Sequence, residues 1–180
     1  GIGGIGTCLL PILLRFLNFS TSDTTVTLVD GDRFEEKNQE RQAFDQIGNK
    51  AEVTAARLQE EFPRIYITAR NEYVTEDNVA EVVREDDTVF LCVDNHATRK
   101  LVSDRCEELD TVRLISGGND VTDGSVHVYI RKNGADQTLP LANDFHPEIQ
   151  YPQDSNPGEA GNCEERAKST PQLLFTNNLV

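Results

Sequence analysis

An α/β fold built on a doubly wound, mainly parallel sheet is predicted by three features of this 180-residue chain. Residues 1–6 read GIGGIG and run directly into an apolar stretch. Short β-branched runs then alternate with helical periodicity in the order β-α-β-α-β-α-β. Residues 88–93 (TVFLCV) are almost wholly apolar, as a strand covered on both faces requires.

Taken in order, residues 8–19 (CLLPILLRFLNF) are long enough for a buried helix, with Pro11 kinking it or lying near its first turn. Residues 25–29 (TVTLV) form a short β-branched strand ending on Asp30. Residues 49–62 place Ala51, Ala55, Leu58 and Phe62 on one helical face. Residues 64–68 (RIYIT) read as a strand and 75–84 as a helix capped by Thr75. After the apolar strand, which ends on Asp94, come a helix over 97–109, a strand over 112–116 and a turn at Gly117-Gly118. Residues 125–131 alternate, with Val126, Val128 and Ile130 on the side expected to be covered. Residues 133–172 hold five of the seven prolines and little periodicity, so they are expected to be irregular, with a last helix starting near Pro171. A strand is expected ahead of the glycines. The chain opens on them and contains no methionine, so it reads as a fragment whose first strand is missing.

Composition narrows the function. Thirty-one acidic against 17 basic residues leave a formal charge of −14, which argues against a nucleic-acid-binding surface and is read as solubility. The four cysteines, Cys8, Cys92, Cys106 and Cys163, form no C-x-x-C pair, so no zinc is expected. Cys8 and Cys92 lie in apolar runs and are expected to be buried thiols of a reducing, cytoplasmic compartment. The apolar run of residues 8–14 is too short to span a membrane, and no signal peptide is visible. His96, His127 and His146 are too far apart in sequence to suggest a site.

Two groups of residues carry chemistry. Gly1, Gly3 and Gly6 match the dinucleotide fingerprint, in which glycines let backbone amides approach phosphates at a helix N-terminus. Asp30, at the end of the next strand, is placed to meet ribose hydroxyls. NAD-dependent dehydrogenases share both features. The second group is more discriminating: Asp32, then KNQERQ at 37–42, then Gly48-Asn49-Lys50. Lys50 opens a helix, where the macrodipole favours anions, so a lysine there predicts an anion beside it. Arg41 adds a planar donor suited to phosphate oxygens.

GIGGIG, LVDGDRFEEKNQERQ, GNKAE and LCVDNHATR together are similar, in order and spacing, to the ThiF/MoeB/ubiquitin-E1 superfamily of adenylating enzymes, over about residues 1–118. The resemblance implies an ATP-binding adenylation domain over 1–132. It makes 133–180 a crossover and catalytic-cysteine segment with the start of the closing helix. Gly1, Gly3, Gly4 and Gly6 would line the ATP phosphates, with Asp30 at the ribose and Asp32 nearby. Asn38, Arg41 and Lys50 would hold the triphosphate, with Gln42 in the same N-x-x-R-Q element. Asp94 would bind Mg²⁺ or position the incoming carboxylate.

The substrate implied is the C-terminus of a ubiquitin-like or sulfur-carrier protein. Its carboxylate is already ionised at neutral pH, so the lack of an obvious general base is consistent. Many bacterial relatives carry two zinc-binding C-x-x-C pairs that are absent here. Cys163, in the irregular tract, is the candidate thioester nucleophile in their place, with an E2-like protein as a further candidate partner. The family also implies a homodimer, with no role for nucleic acid or membrane. An NAD-dependent oxidoreductase and a non-catalytic scaffold subunit of the same fold are the alternatives, together with activation of a small-molecule or tRNA carboxylate.

Overall fold

The computed structural model describes residues 1–20, 24–36, 46–119 and 123–158. The expected last helix near Pro171 lies outside them. The described residues form two compact units, one within residues 1–73 with 119 and 123, the other within 74–118 with 124–158.

In the first unit, helix α1 (Gly4–Ser20) leads to strand β1 (Thr25–Val29), a two-residue antiparallel pair β2 (Arg33–Phe34) and β3 (Gly48–Asn49), helix α2 (Lys50–Glu61) and strand β4 (Tyr66–Arg70). Strands β1 and β4 pair in parallel, from Thr25 opposite Tyr66 to Val29 opposite Arg70, with α2 in the connection that parallel pairing requires. Leu10 and Leu14 of α1, Leu28 of β1, Ala51, Ala55 and Leu58 of α2, and Ile67 of β4 close a core in which Phe34 and Leu58 are fully buried. Each Leu-sized side chain there contributes roughly 1.5–3 kcal/mol relative to its exposed state. Gln59 fastens α2 to β4: its side-chain amide donates to the carbonyls of Phe62 (3.3 Å) and Ile65 (2.9 Å), and its Oε1 accepts from the Ile67 amide (2.9 Å).

The first helix differs from its expected form. It starts inside the glycine motif, contains Pro11, and is buried only along Ile5, Gly6, Thr7, Leu10 and Leu14, so Ile12, Phe16 and Phe19 are exposed. A run apolar all round had suggested complete burial, but only one stripe of a helix can meet a single core.

In the second unit, helix α3 (Val79–Val82), strand β5 (Thr88–Leu91), helix α4 (His96–Glu108), strands β6 (Val112–Asn119), β7 (Gly124–Lys132) and β8 (Ala135–Asp136), and helix α5 (Pro147–Gln150) follow in order. The sheet runs β5-β6-β7-β8, with β5 and β6 parallel in the register Thr88–Arg113 to Leu91–Ser116. Strands β7 and β8 are antiparallel and join through Asn133 and Gly134, both at positive φ (51° and 73°). That is the backbone a two-residue primed hairpin needs, and Asn-Gly supplies it at least cost. The second core gathers Val83, Leu91, Val102, Cys106, Val112, Leu114 and Tyr129, and takes in Leu141 and Ile149 from the stretch expected to be irregular.

Three expectations fail in this unit, and a fourth concerns the cysteines of both units. The helix over 75–84 shrinks to Val79–Val82, and Thr75 does not cap it; instead the Thr75 amide donates to Asn78 Oδ1 (2.8 Å), turning the chain before the helix can start. Gly117 and Gly118 lie within β6 rather than in a turn. On β7 the covered side is opposite to the one expected: Tyr129 is buried, whereas Val126 and Val128 are 52% and 46% exposed. The polar-looking side packs because it brings its own partners: Tyr129 OH donates to Asp136 Oδ1 (2.7 Å) and Arg131 Nε to the Leu109 carbonyl (2.7 Å). Finally, Cys8 and Cys92 are half-buried, and Cys106 is the fully buried thiol.

Candidate functional site

The site residues expected from sequence fall in both units. Asn38, Arg41, Gln42 and Cys163 lie outside the described residues.

In the first unit the glycine motif is tied to the end of β1. The Asp30 carboxylate accepts the Ile2 amide on Oδ2 and the Asp32 amide on Oδ1 (2.8 Å). A carboxylate has about four lone-pair positions, so these bonds fix its orientation and still leave acceptor capacity. Gly4, Ile5 and Gly6 form the first turn of α1, which contains no acidic side chain. Gly3 precedes it. A Cβ built there meets nothing within 4 Å among the described residues, and the backbone is not at positive φ, so neither their packing nor the local conformation requires glycine at this position. What the missing Cβ leaves is open space beside the N-terminus of a 17-residue helix, the place where backbone amides receive anions.

Asn49 is the N-cap of α2 and accepts the Glu52 amide (3.0 Å), while its buried Nδ2 reaches the carbonyls of Asp30 (2.8 Å) and Asp32 (3.0 Å) and Asn71 Oδ1 (2.7 Å). One side chain thus locks the start of α2 to the acidic loop. Lys50 opens the helix as expected, and its Nζ pairs with Asp32 Oδ2 at 3.1 Å. Lys50 is only 7% exposed, whereas the Asp32 side chain is 34% exposed and also accepts the Tyr73 hydroxyl. The Tyr73 ring lies over Gly31, where a Cβ would come within 2.7 Å of it, so this glycine is required by packing.

In the second unit the chain leaves β5 through Asp94 and Asn95. Asn95 caps α4, its Oδ1 accepting the Thr98 amide (2.8 Å). Asp94 is exposed, and among the described residues nothing bonds to its carboxylate. One helical turn on, Arg99 is buried, 6% exposed, and donates to Ser116 Oγ (2.6 Å) and to the carbonyls of Val93 (2.6 Å) and Gly117 (2.8 Å). Burial lowers its pKa, and the nearby Cys92, Asp94 and Asp154 act in the opposite direction. Asp154 supplies an anion to the helix N-terminus: its carboxylate accepts the amides of His96 (2.7 Å) and Ala97 (2.9 Å). Two residues on, Asn156 is buried and donates to the Val74 carbonyl (2.8 Å).

Sequence reasoning missed Asn49, Arg99 and Asp154 as organising residues. Arg99 had a signal, since it closes the motif that begins at Asp94. Asp154 had none, because 58 residues separate it from the helix it caps. The histidines were assigned no role, yet His127 and His146 meet edge to face with centroids 4.1 Å apart, at a cavity of about 350 Å³ that Leu114, Tyr129, Leu139 and Phe145 also line. Among the described residues no cluster of three metal-ligating side chains occurs, and no helix is long and apolar enough to cross a membrane.

Residues 1–168 match the ThiF family. The chain is 32% identical over 133 residues to the adenylyltransferase and sulfurtransferase MOCS3 of Drosophila grimshawi, covering 72% of this chain and 28% of that protein. It is 31% identical over 115 residues to the sulfur carrier protein ThiS adenylyltransferase of Escherichia coli K12, covering 62% and 44%. Among solved structures, E. coli MccB with ATP superposes with a TM-score of 0.72 at 19% identity, over 99% of this chain and 50% of that one. The E. coli tRNA N6-threonylcarbamoyladenosine dehydratase TcdA does so with a TM-score of 0.56 at 28% identity, over 68% and 51%. The chain therefore spans less than half the length of these curated relatives and about half of these solved chains.

Proposed function

Because the chain belongs to the ThiF family, we propose that it uses ATP and Mg²⁺ to adenylate the C-terminal carboxylate of a ubiquitin-like or sulfur-carrier protein. One observation carries the proposal: the open space at Gly3, a glycine that nothing among the described residues requires, beside the start of α1, whose first turn holds no acidic side chain. It fits a phosphate chain held by backbone amides. The names of the curated relatives, which are adenylyltransferases, support ATP over NAD as the nucleotide.

In this proposal Gly1, Gly3, Gly4 and Gly6 surround the phosphates. Asp30 and Asp32 serve the ribose side, and Asn38, Arg41, Gln42 and Lys50 hold the triphosphate. Lys50 reaches a phosphate only by sharing its charge with Asp32, its present partner. The free Asp94 carboxylate suits Mg²⁺, which takes one or two protein carboxylates and completes its shell with phosphate and water. Bound there, the ion would neutralise phosphate charge. Cys163 is the acceptor of the activated acyl group in a thioester, with an E2-like protein downstream. The enzyme works as a homodimer in the cytoplasm and without zinc.

Titration calorimetry tests the nucleotide. ATP with Mg²⁺ binds and Gly3→Val abolishes binding, because the side chain occupies the open space; tight NAD binding indifferent to ATP would refute the proposal. For the finer step, Cys163→Ala keeps ATP–pyrophosphate exchange but loses a DTT-sensitive conjugate on a non-reducing gel. If that variant still forms the conjugate, Cys163 is a bystander.

A further inference from the structure

We propose that Arg99 is a positioning residue for Asp94, its guanidinium fixing the ends of β5 and β6 in the arrangement that presents the Asp94 carboxylate. The proposal rests on the adenylation reading of Asp94 above.

Arg99 begins on α4 but does not serve α4. Its three bonds go to the carbonyl of Val93, the residue immediately before Asp94, and to Ser116 Oγ and the Gly117 carbonyl on the neighbouring strand. β5 itself pairs with β6 only as far as Leu91 opposite Ser116. Beyond that register the two chains have no ladder bonds to hold them, and Arg99 takes over that task. Two of its nitrogens carry all three bonds, a planar fork that a lysine ammonium cannot reproduce from one point.

The surroundings are shaped to the guanidinium. A Cβ on Gly118 would stand 2.9 Å from Nη2 and 3.4 Å from Cζ and Nη1, so any larger residue there crowds the guanidinium. This gives Gly118 a role inside a strand, where glycine otherwise only weakens the element. The charge is the second argument. All the acceptors bonded to Arg99 are neutral, and the acids near it, Asp94 and Asp154, act through space. A buried cation without a bonded carboxylate is an expensive way to join two strands, and apolar side chains of similar volume would serve stability at least as well. What they would lack is a positive charge and a fixed backbone directly behind Asp94.

The test compares the wild-type chain with Arg99→Lys and Gly118→Ala in two measurements. In amide hydrogen exchange, Arg99→Lys accelerates exchange at the last paired residues of β5 and β6 (Phe90, Leu91, Ile115 and Ser116) at least ~10-fold while residues 102–106 of α4 keep their protection. In ATP–pyrophosphate exchange, kcat falls roughly 10²-fold, the scale of misplacing a catalytic group by about 1 Å, with the KM for ATP within about threefold of wild type. Gly118→Ala, which leaves Arg99 in place but crowds it, shifts both measurements in the same direction and by less. Unchanged exchange at those last paired residues, or a uniform loss of protection along α4, overturns the proposal, because the first denies that Arg99 fixes the strand ends and the second reduces it to a general support. A wild-type chain with no pyrophosphate exchange refutes adenylation instead, and the hydrogen-exchange measurement still decides whether Arg99 positions Asp94.

Discussion

The two units each bury one cation beside candidate site residues of their own, and they treat its charge in opposite ways. Lys50 is matched by Asp32 at 3.1 Å, and the same carboxylate accepts the Tyr73 hydroxyl, so its charge is cancelled within the unit. Arg99, equally buried, is bonded among the described residues only to a hydroxyl and two carbonyls, with no carboxylate among those partners. A lysine ammonium is compact and strongly hydrated, so burying it without an anion is costly, whereas a guanidinium is more weakly hydrated and tolerates neutral acceptors. The residue type therefore tells which kind of burial the fold can sustain. In the proposals above it also separates a cation that would leave its partner to meet a ligand from one that fixes the backbone beside the chain's own Asp94.

The largest effect is expected where a charged group is free. Asp94 is exposed and unbonded among the described residues, so Asp94→Ala should leave thermal stability nearly unchanged yet reduce pyrophosphate exchange by at least ~10²-fold, the scale of losing one electrostatic stabiliser. Arg41→Ala is expected to match it in activity. Unaltered exchange in both variants would favour the scaffold alternative.

A smaller effect sharpens the contrast between the cations. Asp32→Ala strands the Lys50 charge in a buried position and should cost about 3 kcal/mol in urea unfolding. Combining Asp32→Leu with Lys50→Met should recover most of that loss. Ser116→Ala removes one of three neutral acceptors from Arg99 and should cost only about 1 kcal/mol. If Asp32→Ala costs no more than Ser116→Ala, the two cations are not held differently.

The smallest effect lies in the alkaline range. Burial raises the Cys106 thiol from its ordinary 9.0 to about 12. The unfolded chain then loses this proton first as the pH climbs, so stability is complete below about pH 9 and declines between about 9 and 12. Cys106→Val should flatten that part of the pH–stability curve, as followed by thermal melts. A curve of unchanged slope would mean that the thiol titrates as readily folded as unfolded.

Much of the fold was legible because local signals agree with tertiary ones. Helix α4 was expected over 97–109 and spans His96–Glu108; α2 was expected over 49–62 and spans Lys50–Glu61, with Asn49 and Phe62 as its caps. The parallel pairings followed from strands separated by helices. What misled was burial. Alternation on β7 located the strand but chose the wrong covered side, because Tyr129 and Arg131 carry hydrogen-bond partners that hydropathy does not register. The Asn133-Gly134 hairpin was a readable signal that was passed over amid the prolines that follow. At the site, the order of motifs indicated which residues matter. It could not show that Lys50 already has an anion or that Arg99 has none bonded, since both depend on contacts 17 to 18 residues away in sequence.

Adenylation itself is tested most directly by following the α-phosphate. The protein is incubated with Mg²⁺, a sulfur-carrier or ubiquitin-like protein with a free C-terminus, and ATP labelled at either the α- or the γ-phosphate. Label from the α-phosphate should appear on the carrier as an acyl adenylate and label from the γ-phosphate only in pyrophosphate, with no transfer to a carrier whose C-terminus is amidated. Release of γ-label as free phosphate, with no α-label on any carrier, would contradict the account.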